Sequence, residues 1–275
     1  MTALLPSTTQ FTTSRDGARI GWERFGAGPA LAVMHGGGRA AKHYRELASA
    51  LAGQLTVLLV DRRGRGLSGP VGAGNAVEEE VADLAAVMEA TGARDVFGHS
   101  GGAATALQAA LRLPIRRLAL YEPPVGAPVP LGWLPAYREA LAKDRPVLAM
   151  VLLAQGLQMG APAWLPPWAL ELPIRPFVRG ETRREMAALL GTLPRELEVA
   201  GSLMEHPERC AEVRCPTLLM GGMKSPRYLQ DAVDFLARTI PGARKVMLEG
   251  VGHNAPDIEA PAKVAAELAR FFSET

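Results

Sequence analysis

The chain has 275 residues, 48% of them hydrophobic and 21% charged, with a formal net charge of +2 at pH 7. This length allows one large domain with a substantial core, and the composition excludes a disordered chain. The nearly balanced charge argues against a nucleic-acid partner, since the densest basic cluster, DRRGRG at 61–66, is a turn and not a basic face.

The N-terminal segment MTALLPSTTQ has neither a basic start nor a long apolar core, so it predicts no signal peptide. The apolar runs further along the chain are too short to span a membrane. The two cysteines, Cys210 and Cys215, have no matching pair of cysteines or histidines, which argues against a zinc site and a disulfide framework. We therefore expect a soluble cytoplasmic protein without a metal and without a membrane partner.

Six short apolar runs predict β-strands, because their hydrophobic residues are continuous, as in strands that are covered on both faces. They occupy residues 30–34, 56–60, 95–98, 117–121, 217–220 and 245–248. Helical patterns separate them, notably at 75–92, at 101–113 and in a last helix that carries Val264, Leu268 and Phe272. This alternation predicts a mostly parallel sheet with helices on both faces.

One segment, residues 125–212, shows no strand pattern and is rich in proline. A connection of this length is uncommon as an irregular loop in a compact domain, so we interpret it as a mainly helical lid. The chain then divides into a core formed by residues 1–124 and 213–275 and a lid formed by residues 125–212.

Three of the four tryptophans, Trp133, Trp164 and Trp168, lie in this predicted lid. The stretch AWLPPWALELPIRPF around two of them is apolar and poor in charge, which suits the wall of a substrate pocket. We predict that the three tryptophans line such a pocket. The alternative is that they only attach the lid to the core.

The pentapeptide GHSGG at 98–102 matches the pattern G-x-S-x-G. In this pattern a strand turns sharply into a helix, and the serine is held in a strained conformation between small neighbours. A predicted strand precedes Ser100 and an apolar helix follows it, which is the context that the pattern requires. We predict that Ser100 is a nucleophile, the alternative being a structural serine.

The stretch HGGG at 35–38 follows the first predicted strand and matches one type of oxyanion loop. A tetrahedral intermediate needs two N–H donors, and we assign them to the backbone of Gly37 and of Gly101. We expect His35 to order this loop through hydrogen bonds. The stretch is not a phosphate-binding fingerprint, which argues against a nucleotide cofactor.

A serine hydroxyl is a weak nucleophile at neutral pH and needs an adjacent base. The chain has five histidines, and His253 lies in EGVGHNAPD, on a loop after the last predicted strand. From there a base can reach the strand ends, so we predict His253 as the general base. The alternative is a histidine on the surface. His99, inside GHSGG, is assigned no catalytic part.

Four motifs, HGGG, DRRGRGLS, GHSGG and GVGH, in this order and at these intervals, together resemble the α/β-hydrolase superfamily. The resemblance runs from about Ile20 to Phe272, with only the lid unspecific. It implies the α/β-hydrolase fold, with an eight-stranded, mostly parallel sheet and a helical lid inserted after the sixth strand. It also implies a catalytic triad in the order serine, acid, histidine.

The chain departs from this family at the acid. The family places an aspartate just past the seventh strand, where this chain has Met223 and Lys224 in GGMKSP. Some members carry the acid after the sixth strand instead, where Glu122 stands in RLALYEPP. We predict Glu122 as the acid. Asp231, in a helical stretch, and the absence of a true acid are the alternatives.

These residues predict a serine hydrolase that needs no cofactor and acts on an ester, lactone or thioester of a fairly apolar small molecule, as a monomer or homodimer. The same residues would also suit carbon–carbon bond hydrolysis, cyclisation or acyl transfer. A non-catalytic binding protein that keeps the fold is favoured only by the missing aspartate after the seventh strand. Epoxide hydrolases and haloalkane dehalogenases of this superfamily need aspartate at the position of Ser100, which argues against those activities.

Overall fold

A computed structural model describes residues 5–273 of the chain, so the first four residues of the segment MTALLPSTTQ, which predicts no signal peptide, lie outside it. Its strands are β1 (Thr8–Thr13), β2 (Arg19–Phe25), β3 (Ala30–Met34), β4 (Thr56–Val60), β5 (Asp95–His99), β6 (Arg117–Tyr121), β7 (Thr217–Gly222) and β8 (Arg244–Leu248). They form one eight-stranded sheet in the order β1-β2-β4-β3-β5-β6-β7-β8. Only β2 runs antiparallel to its neighbours, and every other pair is parallel.

Helices cover both faces of this sheet. They are α1 (Arg45–Leu51), α2 (Ala76–Thr91), α3 (Gly101–Ala110), α4 (Leu134–Ala142), α5 (Pro146–Gly156), α6 (Pro167–Ile174), α7 (Gly180–Gly191), α8 (Leu193–Glu205), α9 (Arg227–Thr239) and α10 (Pro261–Ser273). Helices α1 and α10 share one apolar cluster with the sheet, to which Val264, Leu268 and Phe272 belong as predicted. Helices α2, α3 and α9 contribute to a second cluster on the opposite face. The fold is therefore the predicted α/β-hydrolase fold.

All six strands predicted from apolar runs are present. The strands β3, β4 and β6 have the predicted bounds, whereas β5, β7 and β8 are one or two residues longer. The apolar pattern did not predict β1 and β2, which only the family resemblance implied. Strand β1 has the sequence TTQFTT and lies at the edge of the sheet with mostly exposed side chains, so it needs no continuous apolar run.

Between β6 and β7 the chain leaves the sheet and forms α4 to α8, and we call residues 125–212 the helical insertion. Part of it has an apolar cluster of its own, formed around Tyr137, Ala140, Ala149, Leu190 and Leu193. Its last helix, α8, packs against α3 of the core. In the part of the chain that the structure describes, no helix has the length and apolarity needed to cross a bilayer.

A buried ion-pair network joins α8 to the core. Arg62 donates to Glu196 Oε2 at 3.0 Å and to the two oxygens of Glu80 at 2.8 and 2.9 Å. Arg65 donates to Glu196 Oε1 at 2.5 Å and to Thr192 Oγ1 at 2.6 Å. Burial alone would lower the pKa of Arg62, but the charges of Glu80 and Glu196 raise it. The DRRGRG turn thus does not form an exposed basic face. Its arginines Arg62 and Arg65 attach the helical insertion to the core instead.

Replacing Glu196 with alanine is expected to lower the free energy of unfolding by about 3–5 kcal/mol, because the change leaves two buried guanidinium groups short of a counter-charge. Urea unfolding followed by circular dichroism measures this difference. Glu198→Ala is the matched control on the same helix, since Glu198 is 57% exposed and pairs with Arg195 at 3.3 Å. This control should change stability by no more than about 0.5 kcal/mol. Equal losses in the two variants would contradict the assigned network.

Candidate active site

A cavity of about 350 Å³ lies where the carboxyl ends of the parallel strands meet the helical insertion. Its core side includes Gly37, Ser100, Gly101 and His253, which follow β3, β5 and β8. Its other side is formed mainly by apolar side chains of the helical insertion, namely Val129, Met150, Leu153, Leu157, Met159, Met186, Leu189, Leu190, Leu193, Leu197 and Ala200. This edge of the sheet is where open α/β sheets bind their ligands.

Ser100 occupies the sharp turn between β5 and α3, with φ 52° and ψ −119°. A positive φ is strained for a residue with a side chain, so the surroundings must impose it. The two outer glycines of GHSGG allow the close packing that does so. A Cβ on Gly98 would lie 2.6 Å from the Ala103 Cα, and one on Gly102 would lie 2.3 Å from the Met34 carbonyl oxygen. The motif therefore has the geometry expected of a nucleophile at a strand–helix turn.

His253 and Glu122 form a buried pair, and His253 lines the same cavity as Ser100. The Nδ1 of His253 lies 2.6 Å from Glu122 Oε2, and the Glu122 side chain is 0% exposed. Because a carboxylate accepts, Nδ1 carries the hydrogen, which leaves Nε2 of His253 free to take a proton. The second oxygen, Oε1, accepts the backbone N–H of Gly222 at 2.7 Å. Both carboxylate oxygens are thus engaged, and the imidazole is fixed in the tautomer that a general base needs.

The residues just past β7, where the family usually carries its acid, provide no carboxylate in this chain. Gly222 ends β7 and donates its N–H to Glu122, whereas Met223 beside it is 56% exposed. Asp231, the alternative acid, lies on α9 and pairs with Arg227 at 2.8 Å on the surface. Of these predicted acids, the structure brings only Glu122 to His253.

The backbone of Glu122 is itself strained, with φ 48° directly after β6. Its own N–H donates to the Met220 carbonyl of the neighbouring strand at 3.0 Å. Non-glycine residues in this region are rare and are found where a site over-determines the backbone. From this position the carboxylate contacts the end of β7 at Gly222 and the ring of His253.

The predicted oxyanion donors, Gly37 and Gly101, both lie in the cavity wall, close to the same oxygen of Glu196. Within residues 5–273, no hydrogen bond occupies the N–H of either glycine. Gly101 is the first residue of α3, where N–H groups have no partner within the helix and the helix dipole favours negative charge. The two donors are therefore open to a ligand atom.

The carboxylate of Glu196, in the helical insertion, lies close to both Gly37 and Gly101. Its Oε2 would lie 2.9 Å from a Cβ on Gly37 and 2.5 Å from a Cβ on Gly101. A side chain at either position would have to displace this carboxylate from its ion pairs with Arg62 and Arg65, a constraint that the sequence motif alone does not contain. The negative charge of Glu196 is balanced by Arg62 and Arg65, so it does not face the oxyanion donors uncompensated.

Two other histidines order the loops around the site. His35 accepts the N–H of Arg62 through Nε2 at 3.1 Å and donates from Nδ1 to the Gly36 carbonyl at 3.0 Å, so it orders the HGGG loop as expected. His99 donates from Nε2 to the His253 carbonyl at 2.9 Å, and its Nδ1 accepts the Tyr44 hydroxyl at 2.5 Å. His99 therefore holds the loop that carries His253, a contact that GHSGG did not predict.

The stability of the protein is expected to fall with decreasing pH below about 6.5, where an ordinary histidine takes up a proton. Burial lowers the pKa of His35 and of His99 well below this value in the folded state. The unfolded chain then binds more protons than the folded chain, so the free energy of unfolding is lost as the pH falls from 6.5 toward the folded-state pKa values. Each histidine adds up to about 1.4 kcal/mol per pH unit.

Urea unfolding between pH 5 and 8 tests this dependence. His99→Gln should give a shallower dependence on pH than the parent protein. His206→Gln is the control, because His206 is exposed and contacts only Glu208 on the surface. A pH dependence that is the same in all three proteins would contradict the assignment.

None of the three lid tryptophans lines the cavity, so this prediction does not hold. Trp164 and Trp168 are 81% and 60% exposed on the outside of the helical insertion. Trp133 packs within the insertion, where its ring covers Gly156 and stacks edge-on against Tyr137 at 5.3 Å between centroids. Unbranched and branched aliphatic side chains form the apolar wall instead.

The sequence motifs did not indicate several charged or polar residues of the cavity wall, among them Arg39, His43 and Glu196. Arg39 follows the HGGG motif, His43 lies in a short 3-10 helix after it, and Glu196 comes from α8. Only Arg39 had a sequence signal, which was its place two residues after Gly37. No group of three or more histidine, cysteine, aspartate or glutamate side chains within the described chain is arranged to hold a metal ion.

Comparison with known proteins gives matches along most of the chain. A model described as the alpha/beta hydrolase family matches residues 31–267. The crystal structure of an alpha/beta hydrolase from Sphaerobacter thermophilus has a TM-score of 0.80 and 35% identity, covering 96% of this chain and 100% of that one.

Two relatives of similar length are named for different reactions. A protein named as a carbamate hydrolase, RutD from Azorhizobium caulinodans, is 29% identical over 249 residues, which is 86% of this chain and 88% of that protein. The 2-heptyl-3-hydroxy-4-quinolone dioxygenase AqdC2 from Rhodococcus erythropolis is 28% identical over 273 residues, 94% of this chain and 97% of that protein.

Proposed function

The chain belongs to the alpha/beta hydrolase family, and from this premise we propose that it is a serine hydrolase that forms an acyl-enzyme on Ser100. The observation that carries the proposal is the His253–Glu122 pair, with 2.6 Å between Nδ1 and Oε2, because His253 lines the same cavity as Ser100. The proposed substrate is an ester, lactone or thioester of a fairly apolar small molecule. Hydrolysis of a carbamate, as named for RutD, would use the same acyl-transfer steps.

The proposed reaction has two halves. In the first, Ser100 Oγ attacks the acyl carbon while His253 Nε2 takes the hydroxyl proton, and the N–H groups of Gly37 and Gly101 hold the oxyanion. His253 then passes the proton to the leaving group, and an acyl-enzyme remains. In the second half, His253 takes a proton from water, the resulting hydroxide attacks the acyl carbon, and Ser100 leaves with that proton. Glu122 stabilises the imidazolium in both halves.

The wall of the cavity supports the choice of an apolar substrate. Leucine and methionine side chains of the helical insertion dominate its outer side, and methionine adapts to ligands of differing shape. Closure of this wall over a bound ester would exclude water from the oxyanion donors and strengthen their hydrogen bonds.

A hydrolysis screen with p-nitrophenyl esters of graded acyl chain length tests the proposal. We expect release of p-nitrophenol with an initial burst of one equivalent per protein wherever deacylation is slower than acylation. Medium-length acyl chains should give a higher kcat/KM than acetate, because they contact the apolar wall. Absence of hydrolysis with every ester, carbamate and lactone tried would contradict the proposal.

A second candidate function uses the same pair without an acyl-enzyme, and the similarity to AqdC2 favours it. His253, held by Glu122, would then remove a proton from an acidic group of a hydroxyquinolone-like substrate that reacts with dioxygen. Oxygen consumption with such a substrate, persisting in Ser100→Ala and lost in His253→Ala, would favour this candidate. Carbon–carbon bond hydrolysis, cyclisation and acyl transfer use the same residues as the first candidate, and product analysis separates them from simple hydrolysis.

A further inference from the structure

Arg39 places a cation in the wall of the same cavity, two residues beyond Gly37. Consecutive Cα atoms are 3.80 Å apart, so the Cα of Arg39 lies within roughly 8 Å of the Cα of the proposed oxyanion donor. About 29% of the Arg39 side chain is exposed, and it borders the cavity together with Asn254, the neighbour of His253. The hydrolytic steps described above give this guanidinium no part.

A buried acid holds Arg39 and keeps it charged. Its Nε donates to Asp257 Oδ2 at 2.5 Å, and the Asp257 side chain is 0% exposed. Burial alone would lower the pKa of Arg39, but the charge and the hydrogen bond of Asp257 raise it above its ordinary value. The guanidinium is thus a cation at neutral pH.

This contact leaves most of the guanidinium donors unused. The Nη2 of Arg39 lies at the long distance of 3.4 Å from Asn254 Oδ1, and in the described part of the chain Nη1 has no hydrogen-bond partner. A guanidinium has five N–H donors in a rigid, planar fork that matches two oxygens of a carboxylate. The outer pair of nitrogens is therefore available to a ligand.

The acidic side chains of the cavity wall do not oppose an anion at this place. Glu196 is neutralised by Arg62 and Arg65, and Glu185 pairs with Lys42. The outer wall is mainly aliphatic, and among the described residues that line the cavity Arg39 is the only arginine or lysine. An anionic group in the cavity would find charge-assisted donors at Arg39, because Asp257 engages Nε and leaves Nη1 and Nη2 to other partners.

We propose that Arg39 forms a subsite for a carboxylate or a similar oxyanion of the substrate. The favoured substrates would be esters, lactones or thioesters that carry an anionic group a few carbon atoms from the scissile carbonyl, with Nη1 and Nη2 donating to its oxygens. This inference rests on the proposed function, since it specifies the substrate class of that site. If Arg39 only joined the HGGG loop to the loop that carries Asp257, the protein would not prefer anionic substrates over neutral ones.

The test compares matched neutral and anionic esters in the native protein and in Arg39→Gln. On the acyl side the pair is p-nitrophenyl hexanoate and mono-p-nitrophenyl adipate, and on the leaving-group side it is p-nitrophenyl butyrate and 3-carboxy-4-nitrophenyl butyrate. The rate with Ser100→Ala is subtracted to remove spontaneous hydrolysis. In one of the two pairs, the ratio of anionic to neutral kcat/KM should fall about tenfold or more in Arg39→Gln, the effect of losing a charge-assisted hydrogen bond. Arg39→Lys should retain part of the ratio.

A double variant, Arg39→Gln with Asp257→Asn, covers the case in which the single change disturbs the loop by leaving Asp257 uncompensated. It removes both charges of the pair, and it should turn over the neutral esters while the anionic preference stays lost. If anionic and neutral esters change by the same factor in both pairs and in both variants, the subsite is contradicted and Arg39 only joins the two loops.

Failure of the proposed function is distinguishable from failure of the subsite. If no ester is hydrolysed, calorimetric binding of adipate monoamide and of hexanamide to the Ser100→Ala variant tests Arg39 alone. Tighter binding of the monoamide, lost when Arg39→Gln is added, supports the subsite whatever reaction the protein catalyses. Equal binding of the two amides would overturn it.

Discussion

Replacing Ser100 with alanine is expected to lower kcat/KM for ester hydrolysis by about 10⁴-fold or more, because the acyl-enzyme cannot form. The loss should appear in kcat, while binding of the ester persists, since the apolar wall and the oxyanion donors are unchanged. Alanine adopts the same backbone as serine at φ 52°, so the urea midpoint should stay close to that of the parent protein. Stopped-flow release of p-nitrophenol, with unfolding as the stability control, measures both quantities.

His253→Ala is the matched second variant for this comparison. In the proposed mechanism the two single variants and the double variant should have similar residual rates, because the residues act as a unit. A Ser100→Ala protein that keeps turning over substrate while His253→Ala is inactive would contradict the acyl-enzyme and point to the histidine as a base acting alone.

Replacing Glu122 with glutamine is expected to lower kcat by roughly 10³- to 10⁴-fold, as in other triads that lose the carboxylate but keep its shape. The reason is the hydrogen-bond pattern. The N–H of Gly222 needs an acceptor, so the amide oxygen should take the place of Oε1 and the amide nitrogen should face His253 Nδ1. His253 would then carry its hydrogen on Nε2, where it cannot accept the serine proton. Steady-state kinetics with p-nitrophenyl esters measures the loss.

Asp231→Asn is the control for this variant, since it makes the same carboxyl-to-amide change in the alternative acid. Asp231 pairs only with Arg227 on the exposed side of α9, so the control should hydrolyse esters at the parental rate. A parental rate in Glu122→Gln together with a large loss in Asp231→Asn would contradict the assignment of Glu122.

The sequence predicts the fold well where burial leaves a pattern. Strands covered on both faces must be apolar throughout, and this is why β3, β4 and β6 have the predicted bounds. The edge strand β1 and its neighbour β2 lack such runs, and only the order of the motifs implied them. The helical insertion could be predicted because residues 125–212 lack a strand pattern. The sequence did not indicate which side chains of the insertion face the core.

In the candidate site, residues that belong to short sequence motifs could be predicted, whereas contacts between residues far apart in the sequence could not. Ser100, Gly37 and Gly101 belong to short motifs whose spacing fixes their geometry, and Glu122 could be proposed because a strand end carries it. The contact between Glu196 and Arg62 joins residues 134 positions apart, and no local pattern indicates it. The prediction that the three tryptophans line the pocket was wrong, because composition reveals an apolar segment but not which side of that segment faces the cavity.

The measurement that tests the central claim most directly is mass spectrometry of the protein after treatment with a fluorophosphonate, which phosphonylates an activated serine. The proposed triad predicts one adduct per chain, on the peptide that contains Ser100, formed rapidly by the native protein. Labelling should be much slower in Glu122→Gln and absent in Ser100→Ala. A native protein that is folded but carries no adduct, or an adduct on another residue that persists in Ser100→Ala, would contradict the claim that Ser100, His253 and Glu122 form the active site.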